Sequence, residues 1–138
     1  FLKSIENIDA GKADVVDYSK KGTQQVASGD WQINFDPGRA TLRPEGKDVL
    51  EQVYNLLIQA EDSKLELFGH TDNTGTQDGN YALSRARAEA VKNYFIQKGI
   101  PATRFQKLEG RGQDEPVADN TSAAGKSQNR RVAISLLK

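Results

Sequence analysis

Cysteine is absent from the 138 residues, and histidine occurs once, at His70. Without thiols there is no disulfide, no thiolate nucleophile and no zinc–thiolate site. A single imidazole with no second one cannot complete a zinc site either, so no metal and no cofactor is expected. Zero cysteine fits an oxidising or a reducing compartment alike. An excess of one charge is also lacking: 19 Lys and Arg stand against 19 Asp and Glu. That balance gives no general attraction to nucleic acid or to an anionic membrane surface. No run approaches the roughly 18 apolar residues of a spanning helix. The chain opens on Phe1 and shows no signal peptide. The expectation is a fragment or processed product, joined to a membrane only through an anchor missing from it.

What is present suits one domain with a real core: 36% of residues are hydrophobic and 28% charged. Residues 1–28 are polar and turn-rich and read as a linker or edge extension, with Val15 and Val16 able to seed a short strand. The domain is expected over 29–138. Trp31, Ile33 and Phe35 alternate with polar residues, which is strand periodicity, and Pro37-Gly38 breaks it. Pro44 opens a helix over 44–60, carried by Val49, Leu50, Val53, Leu56 and Leu57. A strand over 64–70 and a helix over 80–98 follow, the latter stopped at Gly99 before Ile100-Pro101. A weaker strand is expected over 104–110, a helical turn near 122–128, and a last strand in which Val132, Ile134 and Leu136 alternate. The alternation of strands and helices predicts an α/β sandwich: one mixed β-sheet with helices packed on one face.

The stretch Gly69-His70-Thr71-Asp72-Asn73-Thr74-Gly75 places a carboxylate at a strand end, just ahead of a helix. Acids in such loops usually serve as turn or cap residues. In the helix that follows, taking Leu83 as 0° and about 100° per residue, Ala86, Ala90, Tyr94, Val91 and Phe95 define a stripe centred near about 20°. Arg85 falls near about 200°, on the solvent face, and Arg87 near about 40°, inside the stripe. A buried guanidinium needs a partner. Arg87 therefore pairs internally with Asp72, snorkels at the helix edge, or lines a cleft and meets a ligand. Asp72 and Arg87 facing one pocket would suit a zwitterion, with an ammonium on Asp72 and a carboxylate on the forked Arg87. Amides around Asn73 to Gly75 would add donors.

The ordered segments GHTDNTG, NYALSRARAEAVKNYFIQKGI, RFQKLEGRGQDEPVADN and GKSQNRRVAISL, preceded by INFDPGRATLRPEG, resemble the OmpA-like C-terminal domain over about residues 30–137. This module also occurs in the peptidoglycan-associated lipoprotein and in flagellar stator proteins. The resemblance implies non-covalent binding of peptidoglycan through the diaminopimelate residue of the stem peptide. It implies a place in the periplasm of a Gram-negative envelope. By position, Asp72 matches the residue that takes the ammonium and Arg87 the one that takes the carboxylate. Asn80 and Leu83 fall in the N-x-x-L-S segment lining the pocket, and Thr71, Asn73 and Thr74 supply loop contacts. Asn129, Arg130 and Arg131 match N-R-R-V. Arg131 is taken as the pocket-edge residue, with Arg130 the alternative. Lys126 stands where arginine is frequent, and Gly79 departs from the usual helix start.

Two other classes compete. A wall hydrolase would need a nucleophile with its base, a zinc triad, or two carboxylates across a cleft. His70 alone serves no triad and Asp72 has no acid partner at useful spacing, so no enzyme is expected. A protein-interaction or flagellar-stator-type docking module, including a homodimer, is compatible with wall binding, but the sequence offers no evident apolar patch for it.

Overall fold

Apolar alternation and helical spacing take hold from Gly29 onward, and the computed structural model describes residues 29–137. The reading of 1–28 as linker or edge extension lies outside the described residues. In chain order the elements are β1 (Gly29–Asn34), α1 (Pro44–Gln59), β2 (Lys64–Gly69), α2 (Gln77–Gln97), a 3-10 turn (Ala102–Arg104), β3 (Phe105–Gly110), α3 (Ala123–Asn129) and β4 (Arg131–Leu137). The four strands form one sheet in the order β1-β4-β2-β3. β4 runs antiparallel to β1 and to β2, and β2 runs parallel to β3, so the sheet is mixed as expected.

Register sorts the side chains by face. Ile33 pairs with Val132, Leu67 with Ile134 and Leu65 with Leu136, and all six are buried on the side that the helices cover. Leu50, Val53 and Leu57 of α1 and Ala88, Val91 and Phe95 of α2 complete this core. Burying each large side chain is worth about 1.5–3 kcal/mol. α1 opens on Pro44, whose missing N–H costs nothing in a first turn. Its far end is closed by Arg104, which donates to the carbonyls of Leu57 and Ala60 at 2.9 Å each. Those carbonyls have no intrahelical partner, and a cation suits that end of the dipole.

One element, α2, differs from the sequence expectation in three respects. α2 begins at Gln77 rather than at 80 because Thr76 caps it, its hydroxyl accepting from the Gly79 amide at 3.0 Å. Gly79, inside the first turn, loosens nothing, since a Cβ there would crowd that capping hydroxyl. The buried stripe of α2 is Asn80, Ser84, Arg87, Ala88, Val91 and Phe95, centred near about 90° on the same wheel rather than 20°. Ser84 is the cause. α2 lies so close over the strand ends that a Cβ on Gly69 or Gly110 would collide with the backbone at Ser84 and Arg85. A small polar residue at the contact lets helix and sheet meet, and Leu83 turns aside to half-burial.

Candidate functional site

The ends of β2 and β3, the loop after β1 and the start of β4 converge beside the first half of α2. The backbone fixes them first. The His70 amide donates to the Arg131 carbonyl at 2.8 Å, Thr71 to Gly112 at 2.9 Å, and Phe35 to Arg130 at 2.9 Å. Asp72 is thereby delivered at a buried strand end. One of its carboxylate oxygens accepts from the Thr74 amide at 2.9 Å, closing an Asx turn. The other accepts from Arg130 Nη1 at 3.1 Å. Burial by itself would raise the Asp72 pKa. The Thr74 amide and the Arg130 guanidinium outweigh it and hold the carboxyl below its ordinary value. Asn80 donates to Gln113 Oε1 at 2.7 Å and reaches the Asp72 carbonyl at 3.4 Å, and Lys126 Nζ donates to Thr74 Oγ1 at 3.1 Å. The acidic loop is therefore clamped from both sides.

Among the described residues Arg87 is the largest fully buried side chain, and it is satisfied by main chain. Nε donates to the Arg39 carbonyl at 2.7 Å, Nη1 to His70 at 3.0 Å and Nη2 to Asp36 at 3.1 Å. Its guanidinium lies 5.3 Å from the centroid of the Phe35 ring. Burial lowers its pKa to about 10, with the Asp72 charge opposing and Arg130 adding to the fall, so it stays protonated at neutral pH. Of the three roles left open for Arg87, the internal salt bridge to Asp72 is absent, because Arg130 takes that acid instead.

Thr71, Asp72, Thr74, Asn80, Leu83 and Arg87 border one hollow of about 100 Å³, together with Pro37, Gly38 and Arg130. Opposite charges from Asp72 and Arg87 thus face a shared space. Two expected residues do not. Asn73 is exposed and does not border the hollow. Arg131 is the correction: its side chain is buried elsewhere, donating to the carbonyls of Glu115 at 3.0 Å and Asn129 at 3.4 Å. Arg130 is the inward residue. It caps α3 ahead of β4, and its Nε anchors on the Phe35 carbonyl at 2.9 Å. Pro37 and Gly38, legible in the sequence only as a strand breaker, form the opposite lip.

His70 lies behind the site. Its carbonyl holds Arg87, while its ring Nδ1 is buried without a hydrogen-bond partner. Burial first, then the Arg131 charge, depresses its pKa to about 4. No group of three or more His, Asp or Glu able to hold a metal exists among the described residues. A larger hollow of about 190 Å³ lies between β1 and α1, where Arg43 and Glu45 neutralise each other at 2.8 Å. No helix among the described residues is long and apolar enough to cross a membrane.

A four-stranded mixed sheet, helices on one face and a charged hollow at the strand ends together define an α/β sandwich domain with a charged recess. The chain belongs to the OmpA family, whose pattern matches residues 34–130. It is 42% identical over 103 residues to the outer-membrane lipoprotein YfiB of Pseudomonas aeruginosa, a match covering 75% of this chain and 61% of that protein. The peptidoglycan-associated lipoprotein of Burkholderia pseudomallei superposes with a TM-score of 0.72 at 27% identity, covering 76% of this chain and 88% of that one. The T6SS cell wall anchor of Pseudomonas aeruginosa gives 0.67 at 32% identity, covering 80% and 81%. The chain spans 53% to 61% of the length of three curated relatives that it matches. Those relatives are lipoproteins and outer membrane proteins, and this is a domain of the bacterial cell envelope.

Proposed function

We propose that the domain binds bacterial peptidoglycan non-covalently, by the diaminopimelate residue of the stem peptide, and so ties an envelope protein to the wall. The observation that carries this reading is the hollow bordered by Asp72 and Arg87, two fixed opposite charges at one recess. A carboxylate oxygen has further lone pairs beyond one hydrogen bond, so Asp72 accepts a ligand ammonium beside its present donors. Arg87 supplies positive potential from the floor, where low dielectric strengthens its pull on a carboxylate. The names of two neighbours, a peptidoglycan-associated lipoprotein and a cell wall anchor, support the same reading.

A single clasp of this size gives modest affinity, because association entropy consumes much of the gain. A wall displays many stems, and a membrane tether or a homodimer raises the effective concentration. The domain acts as a binder and carries out no turnover. Co-sedimentation with purified sacculi tests the reading. Wild type is expected to pellet with the wall and Asp72→Ala to stay in solution while folded. Titration with a diaminopimelate-containing stem peptide against its lysine analogue tests the ligand, since lysine lacks the second carboxylate. Equal binding of both, or wall binding by Asp72→Ala equal to wild type, would remove the clasp.

A further inference from the structure

We propose that the outer edge of β1 is the docking site of the chain's own N-terminal segment: residues 15–19 add to the four-stranded sheet antiparallel to β1, with Val16 seated in the hollow between β1 and α1. That hollow shares no lining residue with the charged recess.

The sheet ends at β1 on one side and at β3 on the other. The two edges are not alike. β3 carries Lys107 and Glu109, and its register against β2 shifts at Leu65/Glu66. Charge and irregularity are what keep an edge from pairing. β1 has neither Lys nor Pro and keeps one unbroken register with β4 over Gly29–Asn34. Its single charge, Asp30, is occupied by the Ser135 hydroxyl, which donates at 2.8 Å. The Phe35 amide donates to the Arg130 carbonyl, and in an antiparallel ladder residues two apart face the same neighbour. Ile33 and Trp31 therefore bond to β4, and the amides and carbonyls of Asp30, Gln32 and Asn34 point outward. No strand among the described residues meets them.

The hollow of about 190 Å³ opens beside that edge, with Ile33, Gly46 and Val49 as its apolar wall. Gly46 lets α1 settle on the strand, since a Cβ there would stand 3.4 Å from Ile33 Cδ1. Unpaired backbone next to an apolar hollow suits an extended segment that brings one branched side chain. Residues 1–28 run straight into Gly29, so the chain itself holds them at this edge at high effective concentration. Val15-Val16-Asp17-Tyr18-Ser19 is the stretch that fits. With Asp17 opposite Gln32, Val16 comes beside Ile33 at the hollow and Tyr18 beside the half-buried Trp31. Val15 and Ser19 then oppose Asn34 and Asp30 on the open face, and no like charges meet. Residues 20–29 return the chain past Gly22, a loop whose closure costs little more than that of a shorter one. The chain ahead of Val15 leaves at the loop after β1, where Pro37 and Gly38 form a lip of the charged recess. A pull on that stretch is thus delivered beside the recess.

The experiment is residue-resolved amide hydrogen exchange by NMR on the full 138-residue chain, with the Trp31 and Ile33 amides as internal controls for folding. Wild type is expected to protect the Gln32 and Asn34 amides by about a hundredfold or more, at every protein concentration. Val16→Asp, which puts a charge into the hollow, is expected to bring both to within about threefold of a free peptide while Trp31 and Ile33 stay slow. Val15→Asp, on the open face, is expected to keep the protection. Should Val16→Asp fail to fold, Asp17→Pro, which removes the donor aimed at Gln32, takes its place with the same expectation. Fast exchange at Gln32 and Asn34 in wild type overturns the proposal, and so does protection unchanged in Val16→Asp or its replacement. Equal loss in Val15→Asp and Val16→Asp also overturns it, because the two faces are then not distinguished. Protection that fades on dilution, with a dimer in light scattering, assigns the edge to a second copy of the chain and overturns it too.

Discussion

The two halves of α2 bury different chemistry against the same sheet. From Ala88 onward the buried residues are Ala88, Val91 and Phe95, packed among leucines and valines. Before Ala88 they are Asn80, Ser84 and Arg87. Ser84 donates to the Tyr81 carbonyl at 2.8 Å and accepts from the Gly112 amide at 2.9 Å, and Arg87 is spoken for by three carbonyls. The apolar half is held by contact area, which has no direction and tolerates similar shapes. The polar half is held by directed bonds, each of which loses its partner when one side is removed. One helix therefore carries an apolar foundation at its C-terminal end and borders a charged recess at its N-terminal end.

The largest expected effect lies in the apolar half. Phe95→Ala is expected to cost about 3–5 kcal/mol in urea unfolding, while the protein that remains folded still pellets with sacculi. Arg87→Met is expected to cost about 3 kcal/mol, since three buried carbonyls lose their donors, and also to abolish pelleting. A cost below about 1 kcal/mol would break the comparison, because Arg87 would then serve ligand alone. His70 sharpens it by pH. Its pKa is about 4 when folded against an ordinary 6.5, so the unfolded chain takes up the proton first. Its contribution is complete above about pH 6.5 and is lost as pH falls toward about 4. Unfolding titrations are expected to lose up to about 3 kcal/mol across that window from this group, with a flatter profile in His70→Leu. The neighbouring charges that shape this response are Arg131, Glu115 and Arg111. The smallest effect belongs to the helix's outer face. Arg85 pairs with Glu89 at 3.3 Å with both side chains half exposed, and Arg85→Ala is expected to change stability by no more than about 0.5 kcal/mol.

The sheet and the two long helices were legible because their signals are periodic. Leu65 and Leu67, or Val132, Ile134 and Leu136, announce a buried strand face with no other knowledge. Asp72 and Arg87 were legible for a related reason: a charge inside an apolar stripe is an anomaly that burial must explain. What periodicity does not reach is the direction of a side chain at a junction. Arg130 closes α3 with ψ of 84°, and Arg131 begins β4. That local bend decides which of two adjacent arginines faces Asp72. The stripe of α2 was misplaced because hydrophobicity weighs Leu83 above Ser84. The contact is set instead by how closely the helix axis approaches Gly69 and Gly110. Thr76 did carry a readable signal, an N-cap hydroxyl with Asp78 in the first turn.

The strand order β1-β4-β2-β3 has a consequence for assembly. The segment latest in sequence is the central seam: β4 lies between β1 and β2 and supplies every ladder bond that unites them. Until it arrives, β1 with α1 and the β2–α2–β3 unit have no shared edge, and Arg130 is not yet beside Asp72. A nascent or translocating chain that lacks these residues has no ladder between the two units, whose remaining ties include the Arg87 bonds to the Asp36 and Arg39 carbonyls. Closure of the sheet and the placing of Arg130 beside Asp72 thus both fall to the last segment of the described residues.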